Sequence, residues 1–172
     1  MNEDKGPINK YKGLIMVVDD NGITTKLLCR YLKANGYEAV DAYDGVDCLD
    51  KVAKLKVEDK QVNLIITDVM MPIMNGEELV RRIKEKYGNE IPVVMVTALK
   101  DTKYQLRAIE VGADDWLEKP IEEKLLISKA KTFTDLSNYR ELLTLISNTV
   151  NDGNFPNIYK GVAVKSLINK NF

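Results

Sequence analysis

The stretch Leu64-Ile65-Ile66-Thr67-Asp68-Val69-Met70-Met71-Pro72-Ile73-Met74-Asn75-Gly76 constrains this chain more than any other. Its apolar run is too short for a helix and lacks the alternation of a strand wetted on one face. It reads as a strand buried on both faces. Such strands belong to parallel sheets covered by helices on two sides. The run ends in a single carboxylate, Asp68, and Pro72 and Gly76 then hold the chain in a short loop. In an open parallel sheet, ligands gather just beyond the carboxyl ends of the strands. Asp68 is therefore a site candidate, although Asp is also a common turn residue and could serve here only as one.

The same pattern recurs along the chain. Leu14 to Val18 is a buried strand ending in Asp19-Asp20, and Asn21-Gly22 turns into a helix with Ile23, Leu27, Leu28, Tyr31 and Leu32 on one stripe, closed by Asn35-Gly36. Tyr37 to Ala42 is a weaker, more exposed strand, and Asp44-Gly45 leads into a helix carrying Val46, Leu49, Val52 and Ala53. Gln61 to Asp68 is the third strand with its lead-in. Glu77 to Tyr87 is a helix with Leu79, Val80 and Ile83 inward and Arg81, Arg82, Lys84 and Glu85 outward. Val93 to Val96 ends at Thr97, Asp101 to Val111 is a helix closed by Gly112, and Asp115 to Glu118 ends at Lys119-Pro120. A last helix begins near Ile121. Strands alternating with helices at this spacing give a doubly wound α/β fold, a five-stranded parallel sheet with right-handed crossovers.

Composition narrows the chemistry. Lys and Arg number 25 against 26 Asp and Glu, so no global basic field argues for direct nucleic-acid binding. No run reaches the length of a membrane span, and the polar leader 1–12 lacks a signal peptide's apolar core, which points to a cytoplasmic protein. Cys29 and Cys48 lack metal or CxxC spacing and fall on helix faces, as small buried hydrophobes do. With no histidine in the chain, Ser-His and Cys-His nucleophile pairs and His-ligated zinc are excluded. Carboxylates, Lys, Thr and a hard cation remain.

The strand ends carry Asp19 and Asp20, Asp68, Thr97 and Lys119. A doubly wound sheet brings these ends to one edge. Three carboxylates gathered there repel one another by several kcal/mol per pair at intermediate dielectric. A small hard cation taking carboxylate oxygens, a backbone carbonyl and waters would neutralise them, and Mg2+ fits best. With an ammonium from Lys119 and a hydroxyl from Thr97, the set suits a phosphoryl group in in-line transfer.

Val17-Val18-Asp19-Asp20, Thr67-Asp68-Val69-Met70-Met71-Pro72 with Gly76, Val96-Thr97-Ala98, and Gly112-Ala113-Asp114-Asp115-Trp116-Leu117-Glu118-Lys119-Pro120 together resemble the receiver domain of two-component response regulators. The resemblance covers about residues 13–131 and implies a flavodoxin-like sheet of order 2-1-3-4-5. It implies that Asp68 is the phosphoacceptor, attacking a histidine kinase's or phosphotransfer protein's phosphohistidine. Asp20, Asp68 and the Met70 backbone carbonyl would bind Mg2+ directly, with Asp19 acting through water. Lys119 would pair with phosphoryl oxygens, Thr97 would bond one of them after transfer, and Lys119-Pro120 would be cis. Trp116 stands where the family carries Tyr or Phe, the aromatic that turns inward as Thr97 moves; a fixed packing role is the alternative. The resemblance implies a signalling switch with no catalysis beyond its own phosphotransfer and dephosphorylation.

Beyond the receiver, residues 132–150 read as a helical extension. Leu136, Tyr139, Leu143, Ile146 and Val150 keep a 3-4 spacing over about two heptads. The stripe pairs with a second copy or folds back on its own domain, and self-association could equally use the face of the fourth and fifth helices. Asn151 to Asn157 breaks the helix, leaving 151–172 as a tail without an assigned role. Two other functions stay open: a Mg2+-dependent phosphohydrolase with Asp68 as nucleophile, and a flavin carrier, whose phosphate Asp19-Asp20 would repel. The chain also reads as a receiver portion of a longer regulator.

Overall fold

Period-two alternation in the strands decides the architecture. In the computed structural model, which describes residues 12–98 and 102–151, β1 (Leu14–Val18) is buried throughout. Leu14, Met16 and Val18 enter one core, and Ile15 and Val17 enter another. In β3 (Val62–Asp68), Ile65 joins the first and Leu64 and Ile66 the second, and a register shift at Asn63 puts Val62 in the first as well. In β4 (Val93–Thr97), Val93 and Met95 face one way, Val94 and Val96 the other. A strand apolar on both faces needs helices on both sides. The first core is closed by α2 (Gly45–Val57), α3 (Gly76–Tyr87) and α4 (Thr102–Glu110), and the second by α1 (Gly22–Ala34) and α5 (Glu123–Asn151). With β2 (Glu38–Ala42) and β5 (Asp115–Glu118), the sheet is five-stranded, all parallel, in the order β2-β1-β3-β4-β5. The chain divides into two compact units between Ser137 and Asn138.

Three helix faces differ from the sequence expectation. In α1 the buried residues are Thr25, Leu28, Cys29 and Leu32, whereas Ile23 is 82% exposed and Leu27 38%. Asn21 caps the helix by accepting from the N–H groups of Ile23 and Thr24, and the phase so fixed turns Thr25 inward. The Thr25 hydroxyl lies 3.2 Å from the Gly22 carbonyl, so its burial leaves no orphaned donor. In α2, Cys48 is buried as expected of a small hydrophobe, but Val46, placed on the inward stripe, is exposed. Lys84 does not point outward: its ammonium bonds Asp114 at 2.6 Å and the Ile91 carbonyl at 3.3 Å. Asp114 also accepts the Val93 N–H, so this clamp ties α3 to the entry of β4.

The remaining boundaries agree within one or two residues. Lys119-Pro120 is cis, and both cysteines are free and buried. No helix among the described residues is long and apolar enough to cross a membrane. The expectations for residues 1–11, Asp101 and 152–172 lie outside the described residues.

The β3–α3 loop is closely packed backbone against backbone. Met74 donates its N–H to the Pro72 carbonyl at 2.6 Å, closing a three-residue turn around Ile73 at φ 63°. A β-branched residue is strained there, and Ile73 is 86% exposed, so packing does not repay the strain. Two residues on, the Gly76 N–H bonds the Val69 carbonyl, and a Cβ on Gly76 would stand 2.1 Å from the Asp68 carbonyl oxygen. Only glycine lets α3 begin this close to the end of β3. Gly76→Ala should lower stability by about 3 kcal/mol in urea denaturation, because backbone must move. Ile73→Asn, which tolerates positive φ, should raise stability by about 1 kcal/mol in the same assay.

Candidate functional site

The sheet order reverses between β1 and β3, which opens a crevice at their carboxyl ends. The register sets Val18 beside Thr67, so Asp19 follows β1 at the level where Asp68 ends β3. Asp20 comes next, and one oxygen each from Asp19, Asp20 and Asp68 lies within 4.8 Å of the others. On the other side of β3, Asp68 is level with Val96, and Thr97 ends β4 one residue further on. Lys119 follows β5 directly, and its backbone N–H bonds the Thr97 carbonyl at 2.8 Å.

The Lys119 ammonium sits 2.9 Å from Asp68 Oδ2 and 3.0 Å from Asp19 Oδ2. The remaining oxygens are also engaged. Asp68 Oδ1 accepts the Val69 N–H at 2.8 Å, and Asp19 Oδ1 accepts the Asn21 N–H at 2.8 Å. Asp19 is buried, Asp68 half-buried and Asp20 exposed. Asp20 forms no ion pair among the described residues. One positive charge thus faces three negative ones. A hard oxygen set with surplus negative charge, one member of it open to solvent, fits a divalent cation such as Mg2+.

Burial pushes the Asp68 carboxyl above its ordinary range. The hydrogen bond and charge of Lys119 pull it back, Asp19 pushes it up again, and the net shift is upward. Burial by itself would lower the Lys119 ammonium, but the hydrogen bonds and charges of Asp68 and Asp19 outweigh it and hold it above the usual lysine value. Lys119 therefore stays charged at any physiological pH.

The structure brings Asp19, Asp20, Asp68 and Lys119 into one cluster, with Thr97 buried at the same edge. Met70 lies in the loop just past Asp68 and is 76% exposed. Trp116, partly buried on β5, is level with Met95 and away from the carboxylates in sequence register. Sequence reasoning missed three supports. Asn21 both caps α1 and bonds Asp19; Val69 offers Asp68 a backbone donor; Gly76 permits the close approach of α3. Asn21 was legible as a capping residue before a helix, but its bond to Asp19 was not.

A carboxylate with a raised pKa costs the native state stability when ionised, and that cost fades as pH falls through the raised value. Asp68→Asn should therefore melt at a higher temperature than the parent in metal-free buffer at neutral pH. The gap should narrow in mildly acidic buffer, read by circular dichroism. A gap independent of pH would assign the gain to something other than charge.

The sequence model described as the response regulator receiver domain matches residues 15–131. Solved structures agree. A response regulator of Chloroflexus aurantiacus J-10-fl is 27% identical with a TM-score of 0.65, over 72% of this chain and 98% of that one. The chemotaxis protein CheY4 of Vibrio cholerae is 28% identical with a TM-score of 0.64, over 70% and 98%. The signal receiver domain of a signal transduction histidine kinase from Syntrophus aciditrophicus is 31% identical with a TM-score of 0.62, over 72% and 90%. With five parallel strands in the order 2-1-3-4-5 and an acidic cluster beside a lysine at their carboxyl edge, the chain belongs to the response regulator receiver domain family, whose members are signalling domains of two-component systems.

Proposed function

We propose that this protein is a cytoplasmic phosphorylation switch in which Asp68 accepts a phosphoryl group from a histidine kinase or a phosphohistidine-bearing transfer protein. The observation that carries the reading is the Lys119 ammonium 2.9 Å from Asp68 Oδ2, inside a cluster of three carboxylates. An Asp68 oxygen forms a bond to phosphorus as the donor's N–P bond breaks, and the imidazole nitrogen leaves with the electron pair. Lys119 is already charged and already touching the attacking group. As negative charge moves outward, its ammonium follows from the carboxylate to the phosphoryl oxygens. Asp20, Asp68 and the Met70 backbone carbonyl would hold Mg2+, with Asp19 acting through water, and the ion would supply charge neutralisation at the phosphoryl group.

The switch follows from differential contact. A phosphoryl group adds charge and strong acceptors at Asp68. Thr97 and Lys119 meet those acceptors only in the phosphorylated state, and they end β4 and precede α5. Their movement biases the surface of α4, β5 and α5, with Trp116 on β5 as the aromatic that responds. Partner binding or self-association, through that surface or through the end of α5, is the output. The chain's activity on phosphate is confined to its own phosphorylation and dephosphorylation.

The test is to incubate the full chain with Mg2+ and a small acyl phosphate and measure intact mass. One phosphoryl adduct per chain is expected, labile to hydroxylamine and absent in Asp68→Asn. Chelation should abolish it, and Asp20→Asn should slow labelling about tenfold or more, a barrier rise of at least about 1.4 kcal/mol. Multiple-turnover release of phosphate with no adduct would instead favour the phosphohydrolase. The absence of both adduct and turnover would overturn the reading.

A further inference from the structure

α5 carries large apolar side chains at Leu136, Tyr139, Leu143 and Ile146, three and four residues apart. Leu136 is 39% exposed, Tyr139 66% and Leu143 58%, with Leu142 beside them at 53%. A large apolar stripe on the last turns of α5, left against water, gains nothing from packing and calls for a cover.

The charges beside the stripe indicate what the cover is. With Leu136 and Leu143 at heptad position a, and Tyr139 and Ile146 at d, Asp135 falls at g and Arg140 at the following e. In two parallel helices in register, g of one faces the next e of the other. Symmetry then sets Asp135 of each copy, which also pairs with Lys131 of its own helix at 2.7 Å, against Arg140 of its mate, twice over. An isologous interface demands this reciprocity. Antiparallel pairing sets g against g and e against e, and forfeits both ion pairs.

We propose that the occupant of this stripe is a second copy of this chain, its α5 lying parallel and in register through Leu136, Tyr139, Leu143 and Ile146, with Asp135 and Arg140 selecting the orientation. The proposal takes up the end of α5, one of the two surfaces named above for association, and makes the pairing there constitutive rather than an output of phosphotransfer.

Site-specific disulfides test it, and the native thiols do not interfere. Both are buried, and burial pushes Cys29 up to about 11 and Cys48 up to about 12. Leu136→Cys and Ile146→Cys, made separately in the full chain, should each form a disulfide-linked dimer under mild oxidation. The two positions are about 15 Å apart along the helix, so no antiparallel arrangement brings both to their own counterparts. The parent should sediment at twice 19.5 kDa without any phosphodonor. Tyr139→Lys with Leu143→Lys should give the monomer. Arg140→Asp should weaken association about tenfold, and adding Asp135→Arg should restore it. A monomeric parent overturns the proposal and leaves the stripe to residues 152–172 or another protein. Cross-linking at only one position, or no rescue by the charge swap, overturns the parallel register. A dimer that accepts no phosphoryl group would sink the switch and leave this interface standing; a labelled monomer would do the reverse.

Discussion

One ammonium holds the functional edge of this protein together. Lys119 spans Asp19 and Asp68, two carboxylates from the strands on either side of the sheet's reversal, and it arrives from a segment after β5. Remove that charge and three carboxylates within 4.8 Å would have only backbone N–H groups and solvent against their repulsion. Burial lifts the Asp68 carboxyl against the pull of Lys119, while Asp68 and Asp19 together hold the lysine above its normal value. Such a cluster is poised rather than relaxed, because a new anion offers the ammonium a better partner.

The fold places this cluster with little freedom. β1, β3 and β4 are packed on both faces, so their ends are fixed by two cores at once. Backbone bonds then set the loops. Val69 bonds the Val96 carbonyl, Gly76 bonds the Val69 carbonyl, and the Lys119 N–H bonds the Thr97 carbonyl. Residues from four segments are thereby held by main-chain contacts before any side chain is considered. Preorganisation of this kind lets a carboxylate react without first ordering its surroundings.

Much of this was legible in the sequence, and the reasons are specific. The apolar runs ending in Asp19, Asp68 and Thr97 are short, bounded by turns and free of alternation, and Lys119 follows a fourth short strand before Pro120, so strand identity and the reactive edge follow together. Helix faces were less legible where a polar side chain outcompeted an apolar one. Thr25 is buried because its hydroxyl bonds its own helix, whereas Ile23 stays at the surface, a choice fixed by the capping phase at Asn21. Lys84 looked like a solvated charge because its partners, Asp114 and the Ile91 carbonyl, are remote in sequence or on the main chain. The strained turn at Ile73 was invisible, since β-branched residues avoid that backbone region.

The opposite end of β3 holds a polar residue that the apolar run conceals. Asn63 accepts the Leu14 N–H at 2.8 Å and donates to the Ser137 hydroxyl of α5 at 3.3 Å, with Gln61 reaching the same hydroxyl. One strand thus carries Asp68 at its upper tip and the moorings of β1 and α5 near its foot, roughly 17 Å away at strand rise. Sliding β3 would break buried bonds at that foot, where water offers no substitute. The strand therefore behaves as a fixed post, held at its foot by buried side-chain bonds as well as along both faces by apolar packing.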